Sequence, residues 1–219
     1  MPESSDRSSL QRGHIRYFPV VPGKLEFSAA VRHAILREQP KNVAVELPMS
    51  LENHYLRAIR RLPQISVILY DGDGDDQMIY VPVEPADPFT EAVRTALEIG
   101  ASVTFLEPDL APKPHLAERS PDTYAVRALG YEEFVELYRK QQKRISDEQR
   151  AHAAAIAWKL QGADPTGSTM AVLSLNLLEA VMEAVEIPQE DPYVGRPKRD
   201  VQVVNAHPNS LTEILIEYP

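Results

Sequence analysis

The fold is decided by the reading of KNVAVELP, residues 41–48. Val43, Ala44 and Val45 form an unbroken apolar run, and Glu46 and Pro48 close it. A short continuous apolar run bounded by polar residues and proline is the pattern of a strand covered on both faces, as in a parallel sheet. Its one carboxylate then falls where the strand runs out. Upstream, Phe27, Val31, Ala34 and Ile35 recur at helical spacing until Pro40 intervenes. Before them, the β-rich stretch from Ile15 to Val21 leads into a Pro22-Gly23 turn. The order is strand, turn, helix, strand.

Downstream the alternation continues. Ser50 is expected to cap a helix carrying Leu51, Tyr55, Ile59 and Leu62 that Pro63 stops, and Ile65 to Tyr70 reads as the third strand. An acidic loop, Asp71 to Asp76, leads to a strand from Met78 to Val83. Asp87-Pro88 then supplies an N-cap with proline in the first helical position, and that helix runs through Val93, Ala96 and Leu97 to Gly100. Ser102 to Leu106 is another apolar strand, followed by Glu107 and Asp109.

Strands alternating with helices imply βαβ units and a parallel sheet. Behind the Pro-rich stretch from Leu110 to Pro121 come three helical stretches, Asp122 to Leu129, Tyr131 to Gln142 and Asp147 to Leu160. The last opens with Ser146 and Gln149 at capping-box spacing and stops at Gly162. Thr169 to Ser174 returns to a strand, Leu175 to Val185 to a helix, and Val201 to Val204 to a strand. Leu211 to Ile216 fits either period. The expectation is an α/β fold: a mainly parallel sheet of βαβ units flanked by helices, with a helical insertion. Residues 14–219 are expected to form one domain, with the insertion at about 120–162, after a disordered N-terminal tail over 1–13.

Composition narrows the chemistry. With no cysteine there is no disulfide, no thiolate metal site and no thiol nucleophile, which fits a reducing, cytoplasmic setting. The net charge of −9 opposes a phosphate backbone, so nucleic acid is not an expected partner. The start is polar, and no run approaches the roughly 18 apolar residues that a membrane span needs. Neither secretion nor membrane insertion is expected.

Several motifs are tested and fail. Asp71-Gly-Asp-Gly-Asp-Asp76 opens like a calcium loop, but its sixth position is Asp76 instead of glycine and its twelfth is Pro82 instead of a bidentate Glu, so it reads as a solvated acidic turn. There is no dinucleotide fingerprint, phosphate-cradling loop, nucleophile elbow or His-Glu-x-x-His. The six histidines, at 14, 33, 54, 115, 152 and 207, show no metal-ligand spacing. The sequence names no cofactor and leaves any metal unknown. What remains is the set of carboxylates at strand ends, Glu46, Glu107 and Asp109, because ligands of open α/β sheets bind beyond the carboxyl edge. Gathered at one rim they would shift each other's proton affinity and act as acid, base or metal ligands. His14 and Arg16 beside the first strand are candidates to join that rim, and Arg150 and His152 to pair with its carboxylates.

The order of these segments resembles the superfamily of erythromycin esterase-like, ChaN-like and TraB/TIKI-like proteins. The resemblance rests on Ile15 to Ile35, on KNVAVELP with Glu46, on EAVRTALEIGASVTFLEPD ending at Asp109, and on an Arg-containing helix before TMAVLSLNLLEAV, covering most of residues 14–186. It implies an α/β fold with a helical insertion and a strand-end cleft lined by carboxylates and histidines. It also implies esterase, haem- or metal-linked, or metal-dependent peptidase activity. Where members carry histidines, this chain has Pro19 to Gly23 and Ser174-Leu175-Asn176, and asparagine has no imidazole to bind a metal or shuttle a proton.

The residues carried forward as a candidate site are Glu46, Asp109, Arg150 and Asn176. The expected function is a diverged, degenerate hydrolase-type cleft, weakly active or non-catalytic, for a small molecule or peptide. One alternative is an active metal-dependent hydrolase with a rearranged carboxylate site. Another is a non-enzymatic interaction domain of a larger protein, or a homo-oligomer, because Leu211, Ile214 and Leu215 carry apolar spacing just before the chain stops at Tyr218-Pro219.

Overall fold

A computed structural model describes residues 9–71, 78–108, 122–141, 144–192 and 200–210. The acidic loop beyond Asp71, Asp109 and the Leu211 to Ile216 element lie outside them. In chain order the elements are β1 (Gln11–Arg12), β2 (Ile15–Val20), α1 (Leu25–Glu38), β3 (Asn42–Pro48), α2 (Glu52–Ile59), β4 (Ser66–Asp71), β5 (Met78–Val83), α3 (Pro88–Ile99) and β6 (Ser102–Glu107). There follow α4 (Ala125–Leu129), α5 (Tyr131–Lys140), α6 (Asp147–Gln161), β7 (Thr169–Ser174), α7 (Leu178–Val185) and β8 (Val201–Asn205).

The main sheet has the order β1-β2-β7-β3-β6, parallel throughout except for β1. Part of the 1–13 segment is therefore no loose tail, since Gln11–Arg12 fold back antiparallel onto Ile15 and Arg16. Every residue of β7 is buried, as its place between β2 and β3 requires. Alternate strand residues feed two cores. Val43, Val45, Phe105 and Val172 face α1 and α3, whereas Ala44, Leu106, Ala171 and Leu173 face α6 and α7.

Topology explains the two layers. The crossover from β2 to β3 runs one way along the sheet and carries α1; the crossover from β6 back to β7 runs the other way and carries α6. Crossovers of one hand that run in opposite directions must pass over opposite faces. The α6 part of the expected insertion is thus the crossover helix itself. Meanwhile α4 and α5 pack on the first face through Val126, Phe134, Val135 and Tyr138. There Tyr131 stacks on Phe18 at 4.4 Å and donates its hydroxyl to Pro19 O at 2.9 Å.

One expectation is corrected. The strands from Ile65 to Tyr70 and from Met78 to Val83 do not extend the parallel sheet; β4 and β5 pair antiparallel with each other and, with β8, build a second sheet of order β5-β4-β8. The physical reason is length. The six residues between Asp71 and Met78 suit a hairpin, whereas a parallel return needs about a dozen or more. A smaller correction concerns Ser50, which lies within a 3-10 turn over Met49–Leu51, so that Leu51 occupies the N-cap of α2. The Asp87 cap with Pro88 and the Ser146–Gln149 capping box both form.

Tyr17 on β2 is fully buried, and its hydroxyl has no hydrogen-bond partner among the described residues. Burial first, and then the Glu186 carboxylate, push its phenol up from 10.0 to about 12, against the opposing pull of Arg12. Below pH 10 both states hold the proton and nothing is lost. Between pH 10 and 12 the unfolded chain releases it while the folded one does not, so stability falls with rising pH, by about 2–3 kcal/mol at the upper end. Urea titrations across this range should show Tyr17→Phe losing less stability than the parent by that amount. Parallel curves for the two proteins would refute the assignment.

Candidate carboxyl-edge site

The ladder between β3 and β7 ends at Val45 and Val172. Beyond it, β3 leads to α2 on the first face and β7 to α7 on the second, Tyr55 and Ile59 packing in one core and Leu178 and Val181 in the other. Adjacent strands whose exits diverge to opposite faces leave a crevice between their carboxyl ends, the usual ligand position in such sheets. Glu46 occupies this crevice. Its Oε2 accepts the Ser174 backbone N–H at 2.6 Å and its Oε1 accepts the Ser174 hydroxyl at 2.9 Å. The side chain thereby takes a backbone donor that the ladder no longer serves.

On the other side of β3, Glu107 is the last residue of β6 and stands in register with Pro48. His152 reaches it from α6, with Nε2 3.9 Å from Glu107 Oε1. The capping box fixes where α6 begins and hence its phase, which puts His152 on the buried stripe with Gln149, Ala153, Ile156 and Leu160. His152 Nδ1 lies 3.2 Å from the Glu148 carbonyl, which only accepts, so Nδ1 carries the proton and Nε2 is the basic nitrogen of the neutral ring. A basic nitrogen facing a carboxylate at 3.9 Å requires a proton on one of them for attraction. Glu46, Glu107 and His152 are only 5%, 4% and 2% exposed.

The sequence-derived candidates separate. Glu46 is at the rim. Asn176 is half-buried just beyond β7, two residues after Ser174. Arg150 is exposed on α6, away from the buried stripe that holds His152. Asp109 is outside the described residues. His14 does not join the rim: its carbonyl accepts from Thr169 N, the first residue of β7, so it sits at the amino edge. Ser174 is an addition to the set, and no local pattern in the sequence marks it. The sequence reading names Glu107 as a strand-end carboxylate and His152 as a residue to pair with such carboxylates, but includes neither among its four candidate site residues.

Metal chemistry, implied by the superfamily resemblance, finds two donors in Glu107 and His152. Among the described residues no group of three or more His, Cys, Asp or Glu is placed to hold an ion. Among the described residues no helix is long and apolar enough to cross a membrane. Comparison with protein-family models, curated proteins and solved structures found no match.

Proposed function

We propose that this chain is a diverged domain of the erythromycin esterase-like, ChaN-like and TraB/TIKI-like superfamily whose carboxyl-edge crevice works as an acid–base site. Its reaction is hydrolysis of an ester or amide in a small molecule or peptide. The observation that carries the reading is the burial of Glu107, at the carboxyl end of β6, against His152 of α6, one strand over from Glu46. Ionisable groups are costly to bury, and where they gather in a crevice the cost commonly serves chemistry. In this reading His152 Nε2 takes a proton from water, Glu107 stabilises the imidazolium, and the proton returns to the leaving group. Glu46 is a positioning residue, because its carboxylate holds Ser174 and so the strand ends in place.

The test is a panel of activated esters and short peptides assayed with the parent, Glu107→Gln and His152→Gln. Turnover by the parent, reduced about 100-fold or more in each variant, supports the proposal. An inactive parent, or variants that match it, favours the second reading, a non-catalytic domain. That reading draws on the double engagement of Glu46 by Ser174, which serves as a structural lock without any reaction.

A further inference from the structure

The opposite edge of the same sheet carries a second feature. A cavity of about 700 Å³ opens beside the amino-terminal halves of β3 and β6, walled by the last turn of α6. Its floor runs from Asn42 to Ala44 on β3 and from Ser102 to Leu106 on β6, so its far end at Asn42 lies roughly 13 Å along the strand from Glu46 while its near end approaches the carboxyl edge. Its lining differs in chemistry from that edge.

Three observations bear on its occupant. First, Trp158, the only tryptophan in the chain, lines this cavity, is half-buried and belongs to neither hydrophobic core cluster. An indole left out of the core offers a large flat apolar face to whatever enters. Second, the charged side chains that line the cavity are Lys41, Lys159 and Asp164, a local excess of one positive charge on a chain of net charge −9. Asp164 is already engaged, accepting from Thr166 N and Oγ1 at 2.9 and 2.7 Å, and Lys41 and His14 nearby help hold its carboxyl below the usual range after those hydrogen bonds. Third, the floor is polar and ordered, with Asn42 Oδ1 3.0 Å from Ser102 Oγ and 3.1 Å from Thr104 Oγ1.

We propose that this amino-edge cavity binds a small aromatic carboxylate, its ring stacked on Trp158 and its carboxylate held by Lys41 and Lys159. The volume is within the range of small-molecule sites, and the lining combines one aromatic face with a few cations and hydroxyls, the usual division between packing and orientation. The ammonium groups favour an anion over its neutral isostere. The walls are set in advance: Gln161 Nε2 donates to Val185 O and Ile187 O, and Gln161 Oε1 accepts from Gln189 N, which ties the end of α6 to the segment after α7.

Because Trp158 is the only tryptophan, its fluorescence reports occupancy directly. The probe is naphthalene-2-carboxylate, titrated against its primary amide, which keeps the ring and removes the charge; calorimetry gives the affinities independently. The expected result is saturable binding of the carboxylate, at least about tenfold tighter than the amide, and loss of that margin in the Lys41→Gln/Lys159→Gln variant with amide affinity unchanged. Both lysines lie outside the core, so a matching unfolding midpoint confirms that this variant folds. Absence of saturation, equal affinity for carboxylate and amide, or a carboxylate margin that survives in the double variant would each overturn the proposal. The readout does not depend on hydrolysis.

Discussion

Replacing either Glu107 or His152 alone by leucine is expected to lower the unfolding free energy by about 3–5 kcal/mol, while replacing both costs far less than the sum of the two. Both side chains are almost wholly buried and face each other across 3.9 Å. Removing one leaves the other in a low-dielectric site without that counterpart, which is the expensive case; removing both exchanges a polar couple for apolar surface beside Ala153 and Ile156 on the same helix face. Against the roughly 5–15 kcal/mol of a typical domain, each single change is severe. Urea unfolding of the four proteins in a double-mutant cycle checks it, with equal m-values required for the comparison. Strict additivity, with no coupling beyond about 0.5 kcal/mol, would mean that the two groups do not depend on each other, and the acid–base reading would lose its main support.

The parts of the fold legible in the sequence were those set by local pattern. Apolar runs within 42–48 and 169–174 gave strands covered on both faces because burial on both sides favours apolar side chains, and the run within 102–107 gave the edge strand, buried only over Phe105 to Glu107. Direction was a different matter. The periodicities of β4 and β5 are silent on whether two strands run parallel, and only the short link between them held that information. The site divides along the same line. Glu46 was visible because a carboxylate at the end of an apolar strand is locally anomalous, whereas Ser174 lies 128 positions away and meets Glu46 only because β7 inserts between β2 and β3. Arg150 and His152 are two residues apart, about 200° around a helix, so only one of them can face the sheet. The apolar stripe through Ala153, Ile156 and Leu160 selects His152, and Arg150 is left to solvent.

At Glu46 the two obvious substitutions are expected to part company. Glu46→Ala strands the Ser174 N–H and hydroxyl in a buried crevice and opens a void, for a loss of about 3–5 kcal/mol. Glu46→Gln keeps an acceptor for the N–H, and its amide N–H₂ donates to the Ser174 hydroxyl oxygen, so the contacts survive with donor and acceptor exchanged at one of them. The remaining cost is that of turning charge-assisted bonds into neutral ones, about 1 kcal/mol. If Glu46 positions the strand ends, Glu46→Gln should also keep the hydrolytic rate within about tenfold of the parent. A group that itself transfers the proton would lose about 100-fold or more in the same variant. Stability and rate measured on one preparation therefore separate the roles. Near-parental stability with collapsed turnover would move Glu46 from support into the chemistry, and equal destabilisation by Gln and Ala would show that Ser174 requires the charge.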